Sequence, residues 1–158
     1  MRTAEPQHAE DITRVINAAF RLAESFLMDR NRIDLESVQS LMQTGKFLIA
    51  LGDDSDDNGV LAGSVYVEPR GERAYVGLLS VDPGHQKTGL GSALMSAAER
   101  YCRETGCRFI DLQLINLREE LPAFYRRRGY VETGSAPLTP GLQPKLPCHF
   151  IKMSKALI

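Results

Sequence analysis

The stretch Val81-Asp82-Pro83-Gly84-His85-Gln86-Lys87-Thr88-Gly89-Leu90-Gly91-Ser92-Ala93 decides how this chain is read. A β-rich run ends at Val81, Asp82-Pro83-Gly84 makes a tight turn, and a helical pattern opens on two glycines. The first turn of a helix has backbone N–H groups with no partner inside the helix, and the dipole there is positive. Glycine lets an anion come close to such a backbone. The stretch is therefore either a cradle for phosphate or pyrophosphate or a plain strand-to-helix turn with a glycine hinge. Two other phosphate motifs fit worse. Gly89-Leu90-Gly91-Ser92-Ala93-Leu94 lacks the third glycine of a dinucleotide fingerprint. Lys87-Thr88 precedes the glycines, whereas a P-loop places its Lys-Ser/Thr after them.

Working outward, Leu90, Ala93, Leu94, Ala97, Ala98 and Tyr101 make a helical stripe to about Thr105, with Gly106 as its stop. Cys107–Ile115 is β-rich, with Ile110, Leu112 and Leu114 on one face. Strand, helix and strand in this order form a crossover, which predicts that the two strands are parallel. Pro122 can open the next helix, which runs to Arg128 and stops at Gly129. Tyr130–Thr133 and His149–Met153 read as the last two strands. Upstream, Ile12, Val15, Ile16, Ala19, Phe20 and Ala23 predict an amphipathic helix within Ala9–Leu27, and Asp34–Gln43 predicts a second, with Gly45 just past its end. Phe47–Leu51, Leu61–Glu68 and Ala74–Val81 form an antiparallel meander, turned by Asp53–Gly59 and Pro69–Arg73. The order ααβββαβαββ predicts an α+β domain with a mixed sheet, a single domain over 1–158.

Composition narrows the class. With 158 residues, 43% hydrophobic and 25% charged, the chain can bury one core without staples. A net charge of −1 and the lack of a basic tail predict no nucleic-acid or anionic-lipid partner. The three cysteines, Cys102, Cys107 and Cys148, form no C-x-x-C pair, which points to a reducing compartment rather than a disulfide framework. His8, His85 and His149 lack zinc spacing, so no metal site is expected. The N-terminal residues carry no apolar signal core, and no run reaches the length of a membrane span. The expected setting is the cytoplasm.

Gln86-x-x-Gly89-x-Gly91 resembles the Q/R-x-x-G-x-G/A signature of the GNAT superfamily of N-acetyltransferases. Leu79-Ser80-Val81-Asp82-Pro83 resembles the strand before that signature. Phe124-Tyr125-Arg126-Arg127-Arg128-Gly129-Tyr130 resembles the helix and strand that follow it in the family. Together these features span Leu79 to Glu132, and the upstream elements come in the family's order. The resemblance implies a three-layer α/β/α domain whose mixed, mostly antiparallel sheet splays between two central parallel strands. It implies acetyl-CoA as cosubstrate and a small-molecule or peptide amine as acceptor, with a homodimer as the usual assembly.

Carried over by position, the resemblance gives the pyrophosphate to Gln86, Lys87, Thr88, Gly89, Leu90, Gly91 and Ser92, chiefly through main-chain N–H groups. Leu79, Ser80 and Val81 would pair with the pantetheine arm. Tyr125 would protonate the departing thiolate, since phenols and thiols both titrate well above neutral pH. The alternative for Tyr125 is a packed ring with a hydrogen-bonded hydroxyl. Arg126 and Arg128 would reach the cofactor's 3′-phosphate region, unless they are a solvated helix end. Asn116 resembles the asparagine that contacts pantetheine, although its distance in sequence from Tyr125 is longer than in the family.

The general base is not marked. Glu68 is the choice, with Glu72, Asp111 and Glu132 as other candidates. Phe20–Glu36 and the Gly134–Pro147 loop would flank the acceptor, and the acids Glu24, Asp29, Asp34 and Glu36 lean toward a cationic amine. Asp54-x-Asp56-x-Asn58-Gly59 resembles half of a calcium loop but reads as a solvated hairpin, because its twelfth position is Val65. Cys148 and His149 point to opposite faces as strand neighbours, so Cys148 reads as packed rather than nucleophilic. The rival to an enzyme is a non-catalytic acetyl-CoA-binding sensor or assembly domain, and Tyr125 favours the enzyme.

Overall fold

The structure is a computed structural model that describes residues 1–25, 31–52, 60–86, 88–138 and 144–157. Lys87, Asp29 and the Asp54–Gly59 loop lie outside the described residues. Seven strands form one sheet in the order β1-β2-β3-β4-β5-β7-β6. They are β1 (Arg2–Thr3), β2 (Lys46–Leu51), β3 (Leu61–Arg70), β4 (Arg73–Val81), β5 (Phe109–Ile115), β6 (Val131–Ala136) and β7 (Phe150–Ala156). The helices are α1 (Ala9–Glu24), α2 (Leu35–Thr44), α3 (Leu90–Glu104) and α4 (Glu120–Arg127).

Apolar periodicity sorts the helices onto the two faces. Ile12, Val15 and Ile16 of α1 and Val38 of α2 are buried against Phe47, Ile49, Leu61 and Tyr66 of β2 and β3. Leu94, Met95, Ala98 and Cys102 of α3 and Tyr125 of α4 are buried on the opposite face with Val65, Val67, Val76, Ile110 and Leu112. Strand residues alternate between the two clusters because neighbouring side chains point to opposite faces. Each fully buried large aliphatic side chain contributes about 1.5–3 kcal/mol. The result is the expected three-layer α+β domain.

The meander β2–β3–β4 is antiparallel, as are β5–β7 and β6–β7. β4 and β5 are parallel, as the crossover predicts, but pair only through Arg73–Phe109, Ala74–Ile110 and Tyr75–Asp111. Beyond Tyr75 the two strands part. The closed end is fixed by Arg73, whose Nε donates to Asp111 Oδ2 at 2.7 Å. Ser154 Oγ donates to the same carboxylate at 2.5 Å.

Several boundaries differ from the sequence reading. β1 is an addition: Arg2 and Thr3 pair antiparallel with Ile49 and Leu48. α4 begins at Glu120 rather than Pro122. The proline still sits in the first turn, where its missing N–H costs no helical hydrogen bond. β6 begins at Val131 and extends to Ala136, and β7 covers Phe150–Ala156 rather than His149–Met153. Gly106 and Gly129, with φ of 87° and 96°, end α3 and α4 in the left-handed region that favours glycine.

Candidate active site

The parting of β4 and β5 opens a cleft of about 450 Å³ that runs from the start of α3 to the end of α1. Its walls can be built from the sequence upward, beginning with β4. Ser64 pairs with Ser80 and Tyr66 with Gly77, so two residues, Leu78 and Leu79, face Val65 alone. This bulge bends the strand. Leu78 takes a φ of 54°, rare for a branched aliphatic residue. Ser80, buried, donates its hydroxyl to the Leu78 carbonyl at 3.0 Å and holds the bend. Leu78, Leu79 and Val81 then line the cleft instead of continuing a ladder with β5.

The turn after β4 is a short 3-10 segment, Pro83–His85. The Asp82 carboxylate caps it, accepting from Gly84 N at 3.2 Å and lying 3.3 Å from His85 Nδ1. Gln86 Nε2 donates to Val81 O at 3.3 Å, and Thr88 Oγ1 to His85 O at 2.6 Å. Gly89 caps α3 with a φ of 81°, which demands glycine. Gly91 has no such demand. A Cβ there would meet nothing nearer than Val81 Cγ2 at 3.9 Å, so the space beside it is open cleft. The amides of the first α3 turn therefore face a volume that a negatively charged group can enter closely.

Across the cleft stands Tyr125, 5% exposed. Its ring packs edge-on against Phe124 and Tyr130, with centroids 4.9 and 5.5 Å away. No described residue hydrogen-bonds its hydroxyl, and the residue lines the cleft. Burial pushes its pKa up to about 12, against smaller opposing pulls from Arg118 and Arg128. The hydroxyl thus holds its proton firmly at neutral pH and has no competing acceptor.

The other end of the cleft is floored by α1. Phe20, Ala23 and Glu24 line it, together with Arg32, Tyr75 and Arg118. Glu24 is 4% exposed. Its Oε2 accepts from Arg118 Nη1 at 3.1 Å, whereas Oε1 is buried without a partner. Burial raises the pKa of this carboxyl, and Arg118 and Arg32 only partly counter that rise.

Leu79, Val81, Gln86, Gly89, Leu90, Gly91, Ser92 and Tyr125 thus come together on one cleft. Ser80 and Thr88 support its walls from behind. The other expected residues lie elsewhere. Asn116 accepts from His149 N at 2.9 Å through Oδ1, and its own N–H donates to His149 O at 3.0 Å. It clamps the entry of β7 and does not line the cleft. Arg126 is exposed and pairs with Glu132 at 3.5 Å. Arg128 reaches Ser96 Oγ at 3.0 Å and Glu99 at 3.6 Å, which fastens α4 to α3.

Glu68 is also outside the cleft. It accepts from Tyr66 Oη at 2.6 Å and is bound by Arg70, and these partners hold its carboxyl below the usual range. A depressed, doubly engaged carboxylate is poorly suited to take a proton. Asp111 is likewise engaged at the closed end of the seam. The sequence reading put Phe20–Glu36 beside the acceptor and counted Glu24 among its acids, but singled out neither Arg32 nor Arg118. Glu24 did leave a signal, because it follows Phe20 by one helical repeat on the apolar stripe. Among the described residues, no group of three or more His, Cys, Asp or Glu gathers as a metal site would. No helix among them is long and apolar enough to cross a membrane.

A splayed parallel seam, a helix start at one end and buried polar atoms at the other share one continuous cleft. The family model for the acetyltransferase (GNAT) family matches residues 10–130. The chain belongs to this GNAT family. It is 37% identical over 92 residues to blasticidin-S acetyltransferase of Streptomyces morookaense, covering 57% of this chain and 66% of that protein. It is 33% identical over 96 residues to mycothiol acetyltransferase of Propionibacterium freudenreichii subsp. shermanii, covering 54% of this chain and 30% of that protein. The match therefore spans just under two thirds of the first relative and under a third of the second. The fold is shared with nourseothricin acetyltransferase, with a TM-score of 0.76 at 24% identity over 99% of this chain and 97% of that one. It is shared too with an aminoglycoside 6'-N-acetyltransferase complexed with coenzyme A, with a TM-score of 0.73 at 19% identity over 100% and 98% of the two chains.

Proposed function

We propose that this protein is an acetyl-CoA-dependent N-acetyltransferase that passes the acetyl group directly to a primary amine in the cleft. The observation that carries the reading is the single opening between β4 and β5, which has the α3 amides at one end and the Tyr125 hydroxyl on its wall. The residues fit the donor. Gln86 and the N–H groups of Gly89, Leu90, Gly91 and Ser92 would hold its pyrophosphate. The bulged strand at Leu79–Val81 would offer main-chain groups to its pantetheine arm. When bound, the donor supplies an activated acetyl thioester whose thiol leaves.

The chain's own part is to place and to stabilise. Main-chain N–H groups at the Leu78–Leu79 bulge would face the thioester oxygen, where negative charge develops. Tyr125 would give its proton to the leaving sulfur, and the proton that the attacking nitrogen sheds as the amide forms would pass to solvent, from which the phenol is reprotonated. The apolar side chains of Leu79, Leu112 and Leu114 on the cleft wall would shield the thioester from water once the donor fills the cleft. The relatives named above act, by name, on antibiotics or on mycothiol, and they support an amine of modest size as acceptor. We infer a cytoplasmic setting from the cysteine usage alone.

Titration calorimetry with acetyl-CoA tests the donor site. Wild type should bind it. Gly91→Ala should bind at least about 10-fold more weakly, since a methyl group enters the anion's space. The same variant should melt no lower than wild type, because alanine is favoured over glycine in a helix by about 0.5–1 kcal/mol. Lack of binding by the wild type would end the reading.

A further inference from the structure

The acceptor end of the cleft holds two polar atoms that the fold leaves unsatisfied, and they are of opposite kind. Glu24 Oε1 is a buried acceptor with no donor, and Arg32 Nε is a buried donor with no acceptor. Most buried polar atoms find a partner, so two exceptions on one wall call for an explanation. The two groups do not satisfy each other, although each feels the other's charge. Arg118, a donor only, cannot serve Arg32 Nε, and its own N–H groups go to Glu24 Oε2 at 3.1 Å and Glu120 Oε1 at 2.9 Å. Arg32 has no ion pair among the described residues.

The fold holds Arg32 in place without using its charge. Asn17 of α1 is buried, and its side chain clamps the next residue in both directions. Nδ2 donates to Ile33 O at 2.8 Å, and Ile33 N donates to Oδ1 at 3.0 Å. Arg21 Nη2 donates to Asn31 Oδ1 at 2.9 Å on the other side. The Arg32 guanidinium lies over the Phe20 ring, 5.5 Å from its centroid. An arginine fixed by its neighbours, stacked and left without a carboxylate is prepared for an anion from outside the chain.

We propose that the acceptor is a zwitterion: an amine that carries a carboxylate or similar compact oxyanion close by, with Glu24 Oε1 receiving an N–H of the amine and Arg32 holding the anion. This deepens the acetyltransferase reading and rests on it. Glu24 draws the amine into the cleft, and Arg32 separates acidic amines from neutral or purely cationic ones. An acceptor without the anion leaves Arg32 Nε unpartnered, so it binds more weakly. The loss expected is that of a charge-assisted hydrogen bond, about 10- to 100-fold.

The test is acetyl-CoA consumption with the common free amino acids, their methyl esters and the amines left by their decarboxylation. For the accepted side chains, kcat/KM for the free acid should exceed that of ester and amine by at least about 10-fold. In Arg32→Gln that preference should collapse through KM, and Arg32→Lys should restore part of it. Glu24→Gln should lower kcat/KM for acids and esters alike. Equal or faster turnover of esters, an unchanged acid-to-ester ratio in Arg32→Gln, or no turnover of any free acid would each overturn the proposal. Acetyl-CoA calorimetry on the same samples separates the two failures, since loss of donor binding strikes the acetyltransferase reading itself.

Discussion

Two buried clusters in this domain have nearly the same parts and opposite finish. Behind α3, Glu99 is 5% exposed, and both of its oxygens are used. Tyr130 Oη donates to Oε2 at 3.0 Å, Lys155 Nζ donates to Oε1 at 3.0 Å, and Arg128 lies 3.6 Å from Oε2. In the cleft, Glu24 is as deeply buried, Tyr125 is as well packed as Tyr130, and Arg118 and Arg32 take the place of the two cations. In the first cluster Arg128 Nε is left without a partner but the carboxylate is fully engaged, whereas in the cleft Glu24 Oε1 and Arg32 Nε are both buried without a partner. No described residue hydrogen-bonds the Tyr125 hydroxyl either. The same chemistry closed on itself is a brace. Left open toward a cavity, it is a site. The two tyrosine rings touch edge to face at 5.5 Å, so the brace also positions the site.

Exchanging the hydroxyls should break the comparison most sharply. Tyr125→Phe should lower kcat by about 10²- to 10⁴-fold, the usual worth of a general acid, in a steady-state assay with the best acceptor. Its melting temperature should stay within about 2 °C of wild type, because the lost hydroxyl had no hydrogen bond to lose. Unchanged turnover would make Tyr125 a packing residue only. Tyr130→Phe should do the reverse. It strips a buried carboxylate of one donor, at a cost of about 2 kcal/mol, which lowers melting by roughly 4–8 °C in a chain of this size.

A smaller effect separates the two glutamates. Burial holds the Glu24 carboxyl above its ordinary value of 4.5, so the native state favours its protonated form. The cost of ionising it is absent below that ordinary value and complete above the raised one. Glu24→Gln removes the cost. At neutral pH it should melt no lower than wild type, and any gain should vanish as pH falls below 4.5. A large loss of stability at neutral pH would show that Glu24 is a brace as well. The smallest effect belongs to Arg126→Ala, which removes only an exposed pair with Glu132. Stability should move by no more than about 0.5 kcal/mol, and calorimetry should find the same affinity for acetyl-CoA.

The meander and the crossover were far easier to read in the sequence than the acceptor end or the brace, whose Arg128 had been given to the cofactor. Long apolar stripes announced α1 and α3, and the strand-helix-strand order announced the parallel seam. Gly89 lay where the cap of a helix needs a glycine. What escaped depended on partners distant in sequence or on context that overrides local pattern. Arg2 and Thr3 are too few to show a strand's alternation, and only pairing with β2 makes them one. Asn116 kept a familiar residue type, but His149, far along the chain, claims its side chain. Glu68 shares a strand face with Tyr66 and Arg70, two positions away on either side, and that spacing already warned that it would be engaged. Glu24 was read only as one of four acids near the acceptor, although its helical phase put it on the buried face. A charge on an apolar stripe is more informative than a charge on a polar one.

The short seam between β4 and β5 has a mechanical consequence. Joined by three residue pairs, the sheet contains two strand edges in its own interior. Amides on those edges past Tyr75 and Asp111 lack a strand partner across the gap, although the outer side of β5 is fully laddered and that of β4 is laddered on both sides of its bulge. The two halves of the sheet are therefore coupled as leaves around a narrow spine, and anything that fills the gap stitches them together. Hydrogen exchange along 76–81 and 112–115 should slow when the gap is filled and stay unchanged at Arg73–Tyr75, where the spine is already closed.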